Sequence, residues 1–116
     1  MRKRKKGRKF SLKSGQRRAL LHSLLRALVE REKIETTQAK AMEMRSLADK
    51  LITKAKEGNL ASIRVLGKTL GNTLTKKLIE KIAPTFKERK GGYTRVIKLG
   101  ARNTDSAKMA IIEFVK

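Results

Sequence analysis

The chain has 116 residues, the length of one small domain. Lys and Arg number 31 against 10 Asp and Glu, a formal net charge of +21, with 39% hydrophobic residues and no cysteine. That balance excludes a disulfide or thiolate-metal scaffold and calls for a polyanionic partner, because a free domain so charged repels itself.

The charge is unevenly placed. Residues 1–29 carry Arg2, Lys3, Arg4, Lys5, Lys6, Arg8, Lys9, Lys13, Arg17, Arg18 and Arg26 and no acid; the first carboxylate is Glu30. Up to residue 13 there is little to bury and much to repel, so residues 1–13 are expected to be an arm that does not fold alone. A solvated tail or a localisation signal would share this composition. The sharper reading is an arm that orders on RNA or DNA by neutralising phosphates, with Gly7 letting the backbone turn close to one. No apolar run approaches the roughly 18 residues that span a bilayer. No apolar signal-peptide segment follows the basic start, and no apolar face precedes Phe10, so neither a membrane partner nor a presequence is expected.

Residues 14–116 are expected to form a single α+β domain. A helix is predicted from an N-cap near Ser14, with Leu20, Leu21, Leu24, Leu25, Leu28 and Val29 on one stripe and Arg17, Arg18 and Arg26 off it. Lys33–Thr36 reads as a short extended segment. Thr36 or Thr37 caps a second helix whose stripe runs Ala41, Met44, Leu47, Ala48, Leu51, Ile52 and Ala55, stopped at Gly58. Asn59 caps a third helix, carrying Leu60, Ile63, Leu66 and Leu70. Gly71 ends it, and Asn72 caps a fourth, with Leu74, Leu78 and Ile82 buried and Pro84 preventing a long continuation. After Gly91-Gly92 the period changes to two: Tyr93–Leu99 and Met109–Val115 read as strands joined by the polar loop Gly100–Lys108. The order is helix, strand, three helices, two strands, in two layers with the helices packed on a small mixed sheet.

Signals for catalysis are poor. His22 is the only histidine, and it adjoins the leucine stripe, where a structural or solvent-facing role is the ordinary one. The acids mostly neighbour cations, and helix-surface pairing accounts for several, such as Lys40 with Glu43 and Lys76 or Lys77 with Glu80. Asp105 reads as a turn former. No metal cluster, phosphate-loop motif or nucleophile triad is present in the sequence, so no cofactor and no small-molecule substrate are expected.

Signals for phosphate binding are stronger. Glu88–Arg95 combines two glycines, an aromatic and three cations. It is either a turn entering a strand, with Tyr93 on the core, or a place where Gly92, Tyr93 and Thr94 approach a phosphate and Arg95 reaches a phosphate or base. Arg102 in the 100–108 loop suits the same use. Aromatics number four, Phe10, Phe86, Tyr93 and Phe114, too few for a reader that stacks single-stranded bases and better suited to folded RNA recognised by shape and backbone.

The stretches Met1–Phe10, Arg17-Arg18-Ala19-Leu20, Ile34–Arg45, Gly91–Leu99 and Asp105–Glu113 together resemble the bacterial large-subunit ribosomal protein family numbered seventeen, from end to end of the chain. The family often has His where Lys3 and Gln16 stand here, and Gly-Asp where Thr104-Asp105 stands. The resemblance implies a two-layer domain on the large subunit, bound to its ribosomal RNA near the polypeptide exit tunnel, with neighbouring large-subunit proteins as further partners. It implies a cytoplasmic, ribosome-bound location and no catalysis. Carried over by position, residues 2–9, Arg17, Arg18, Thr37, Lys40, Arg45 and Gly92–Arg95 are the implied RNA contacts. A DNA-compacting, histone-like protein would share the charge. A small RNA-modifying enzyme would need a catalytic group that the sequence does not offer.

Overall fold

The structure, a computed structural model, describes residues 14–115; the arm expected over residues 1–13 and the terminal Lys116 lie outside the described residues. Helix α1 is Ser14–Arg31, strand β1 Lys33–Thr37, helix α2 Gln38–Glu57, helix α3 Leu60–Leu70, helix α4 Asn72–Lys77, strand β2 Thr94–Ala101 and strand β3 Lys108–Phe114. The expected α+β class and element order hold.

The helix ends follow from side-chain chemistry. Thr37 is the N-cap of α2, its hydroxyl accepting from the Lys40 amide at 3.4 Å, and Asn59 caps α3 through the Ser62 amide at 2.8 Å. Gly58 closes α2 in the left-handed conformation, φ 66°, which glycine adopts without a Cβ clash. The expected cap at Asn72 is corrected: Asn72 is inside α4 and Gly71 precedes it, and the Thr75 hydroxyl bonds the Gly71 carbonyl instead (2.7 Å). Beyond Lys77 the chain winds on as a π turn, Leu78–Ile82, and a 3-10 turn, Ala83–Phe86. The Ala83 amide reaches back five residues to the Leu78 carbonyl. This change of pitch sits at Pro84, which has no amide to donate and whose ring would crowd the carbonyl four residues back.

The sheet order is β1-β3-β2, so the last strand is the central one. Both pairings are antiparallel, with Ile34 opposite Ile112 and Val96 opposite Ile112, which corrects the expected mixed sheet. β2 and β3 form a hairpin and must be antiparallel. The helices between β1 and β2 return the chain so that these two strands flank β3 in the same direction.

Alternation decides which face is covered. Ile34, Thr36, Thr94, Ala110, Ile112 and Phe114 are buried under the helices. From α2, Ala41, Met44, Ala48, Ile52 and Ala55 meet them at helical spacing, and α1 adds Leu25, Leu28 and Val29. Leu47 and Leu51, expected on the same stripe, are half-buried at its edge. At one end Phe86 meets Tyr93 edge-on and Phe114 at a tilt, with ring centroids 5.2 and 6.2 Å apart.

Candidate nucleic-acid interface

Two groups of cations differ in what they touch. The first lies on α1 and the adjoining flank of α2. Arg17, Arg18, Leu21 and His22 line a shallow groove with Leu47 of α2. Steps of seven place Lys40 and Lys54 on the same flank of α2 as Leu47. Arg18, His22 and Arg26 follow one another at one-turn spacing along α1. Arg26 is exposed and donates from Nε to the Thr69 carbonyl at 3.0 Å, tying α1 to the end of α3. Arg17, Arg18, Lys40 and Arg45 form no ion pair with another of the described residues. Arg45 stands one turn before Asp49, whose carboxylate holds Thr94, and so lies on the flank of α2 beside β2.

His22 reports the local field. Partial burial, then Arg26, then Arg18 lower its pKa below the ordinary histidine value, so its imidazole is neutral at pH 7. The structural or solvent-facing role expected of His22 is thus refined: the imidazole sits inside a row of cations.

The second group lies on the sheet. Arg95 is exposed, but both Nε and Nη2 donate to Glu113 Oε2, at 3.0 and 2.7 Å. Arg102 grips Asp105 with two bonds of 3.0 and 2.8 Å. Asp105 also accepts from the Ala107 amide (3.1 Å), closing the hairpin loop as the turn former it was expected to be. The Arg102 hydrogen bond, then that amide, hold the Asp105 carboxyl down at about 2.

The Gly91–Arg95 stretch divides. Gly92 is exposed at φ 61°, while Tyr93 is 2% exposed and belongs to the core. Its hydroxyl donates to the Arg89 carbonyl at 3.2 Å and accepts from Lys56 Nζ at 3.1 Å. The Lys56 ammonium also donates to the Arg89 carbonyl and lies 5.0 Å from the Tyr93 ring centroid. Thr94 is buried, donating to Asp49 Oδ1 at 3.2 Å. Of the two readings open for Tyr93, the packed one describes its side chain, because a ring closed in on all sides offers no face to a base. Thr37, Tyr93, Thr94, Arg95 and Arg102 therefore have internal partners. Arg2–Lys9 and Lys13 lie outside the described residues.

Of the two lysines expected to pair with Glu80, Lys76 or Lys77, the second has other partners. Its ammonium lies 3.4 Å from Glu32 Oε2 and donates to the Glu30 carbonyl at 2.6 Å, capping the end of α1. Lys56 and Lys77 were not singled out for these jobs by sequence, because both bonds cross more than thirty residues. Among the described residues there is no cluster of three His, Asp or Glu that could hold a metal, and no helix long and apolar enough to cross a membrane.

The family model for ribosomal protein L17 matches residues 20–115. The large ribosomal subunit protein bL17 of Thermodesulfovibrio yellowstonii is 51% identical over 116 residues, covering 99% of this chain and 87% of that protein. That of Pelobacter propionicus is 46% identical over 117 residues, covering 100% and 92%, and that of Natranaerobius thermophilus 49% over 110 residues, covering 94% and 97%. With these matches running nearly end to end, the chain belongs to the ribosomal protein L17 family, whose members are structural proteins of the ribosome and not enzymes.

Proposed function

We propose that the chain is a structural constituent of the large ribosomal subunit that binds and stabilises its ribosomal RNA, near the polypeptide exit tunnel as the family resemblance implies, in the cytoplasm. The observation that carries this is the distribution of charge. The first 29 residues hold 11 cations and no acid, and where that stretch becomes α1 its arginines pair with no carboxylate of the described residues, whereas Arg95 and Arg102 are paired.

The contact set follows from the same distinction. Arg2, Lys3, Arg4, Lys5, Lys6, Arg8, Lys9 and Lys13 act as an arm over residues 1–13. Arg17, Arg18, Lys40 and Arg45 extend it over the folded domain, residues 14–116. Gly92 serves through its exposed backbone. Each neutralised phosphate releases counterions, so affinity falls steeply with salt. The three described aromatics are in the core, which leaves backbone and shape as the recognised features.

The test is co-sedimentation at moderate salt. The full-length chain should travel with large subunits and be absent from nucleoid fractions. Equal partition onto bulk duplex DNA would instead support a DNA-compacting role.

A further inference from the structure

The sheet has a second face, which none of the described helices covers. Three cross-strand rows make it up. Lys33, Glu113 and Arg95 form the first, Glu35, Ile111 and Ile97 the second, and Thr37, Met109 and Gly100 the third. Leu99 projects at the bulge between Lys98 and Gly100. Ile97 is 41% exposed and Leu99 48%, so β2 presents two large aliphatic side chains to solvent beside the half-buried Ile111 and Met109.

The charge on this face is unlike that of the chain. It holds two cations, Lys33 and Arg95, and two acids, Glu35 and Glu113, a net of zero in a chain of +21. Glu113 stands between the two cations and takes both Arg95 donors. A surface built for phosphate would not place two carboxylates beside an aliphatic centre, since each carboxylate repels the anion and the aliphatic groups offer it nothing. An apolar centre with a balanced polar rim is instead the composition of a protein-binding patch.

We propose that this open face of the sheet docks a neighbouring protein of the large subunit, through an apolar segment that covers Ile97, Leu99, Met109 and Ile111. The inference rests on the ribosomal assignment above and adds a division of labour to it: the arm and α1 take RNA, and the open sheet face takes protein. An uncharged, aliphatic stretch of the partner fits the centre. At the rim, the Glu35 carboxylate feels the Arg102 guanidinium, which is itself bonded to Asp105, and a polar residue of the partner fits beside it.

The test places a benzophenone side chain at position 97 or 99 of the full-length chain in cells, with position 18 as control. Large subunits are purified, washed in high salt and irradiated. The expected result is an adduct from positions 97 and 99 that resists ribonuclease and contains a large-subunit protein identified by mass spectrometry, while position 18 gives a ribonuclease-sensitive adduct. A ribonuclease-sensitive adduct from 97 and 99, an adduct with a second copy of this chain, or subunits that contain the chain and yield no adduct there would each overturn the proposal. A chain that never sediments with large subunits would overturn the ribosomal assignment and this inference together. As an independent check, Ile97→Glu should leave the melting temperature and the affinity of the free chain for large-subunit RNA within twofold of the parent's behaviour, yet lower its occupancy of salt-washed subunits threefold or more. Unchanged occupancy, or an equal loss of RNA affinity, would contradict it.

Discussion

The α1–α2 face and the sheet face carry cations of the same kinds and use them differently. On α1, Arg17 and Arg18 stand in a shallow groove with His22, and burial and neighbouring arginines depress the histidine's pKa. On the sheet, Arg95 and Arg102 each have two donors on a carboxylate. A count of Lys and Arg treats the two alike. What separates them is the position of acids: none precedes Glu30, whereas Glu113 stands opposite Arg95 in the strand register and Asp105 follows Arg102 by three residues in the hairpin loop. Arginines bonded to carboxylates hold the hairpin in shape; we propose that those without such partners take the phosphates.

The largest effect should come from removing residues 1–13. Eight cations go with them, and at about 0.8 logarithmic units per phosphate contact in 0.1 M salt the RNA affinity should fall at least a thousandfold. Thermal unfolding should be nearly unchanged, since the buried stripes begin after Ser14. A large fall in melting temperature would show that the arm is part of the core.

Tyr93→Ala should act in the opposite sense. Emptying a buried aromatic site costs about 3–5 kcal/mol, so denaturant unfolding should show severe destabilisation. Tyr93→Phe should cost about 1 kcal/mol, the worth of the hydroxyl's bonds, with RNA affinity intact in the folded protein. If the Phe variant folds normally and loses RNA affinity tenfold, the hydroxyl belongs to the interface after all.

Arg17→Ala with Arg18→Ala should weaken RNA binding about tenfold or more at 0.1 M salt and change stability by less than about 0.5 kcal/mol. Equal losses from the Arg95→Ala and Arg102→Ala pair would erase the contrast between the two faces.

The smallest effects are in pH. The folded pKa of His22 is depressed, so its contribution to stability is present above the unfolded value near 6.5 and is lost as pH falls through the folded one. A phosphate bound beside it would favour the charged imidazole, so RNA affinity should rise as pH falls and His22 takes up its proton, and His22→Gln should flatten that rise. Asp105 is depressed as well, to about 2. The order it gives the hairpin is present above the ordinary carboxylate range and is lost as pH falls through about 2, which amide exchange at Ala107 would report.

Much of the fold was legible because its signals are local. Gly58 and Asn59 announce a stop and a start within two residues, and the alternation after Gly92 marks a strand. The sheet order was not legible, because the β1–β3 pairing joins residues more than seventy positions apart, and nothing near Lys33 says that Glu113 will face it. Of the candidate site, the bare charge was readable and its use was not. Arg95 and Glu113 are eighteen residues apart, and only the hairpin register brings them to 2.7 Å. Tyr93 carried the same ambiguity, which the Lys56 ammonium over its ring resolves in favour of packing.

We propose that RNA is held by the arm and α1 and not by the sheet. It is tested most directly by the slope of log affinity against log salt, measured on large-subunit RNA for the parent chain, the Arg17→Ala and Arg18→Ala pair, and the Arg95→Ala and Arg102→Ala pair. The slope should be shallower by about 1.5 for the first pair and indistinguishable from the parent for the second. A second pair that loses as much slope as the first would contradict it.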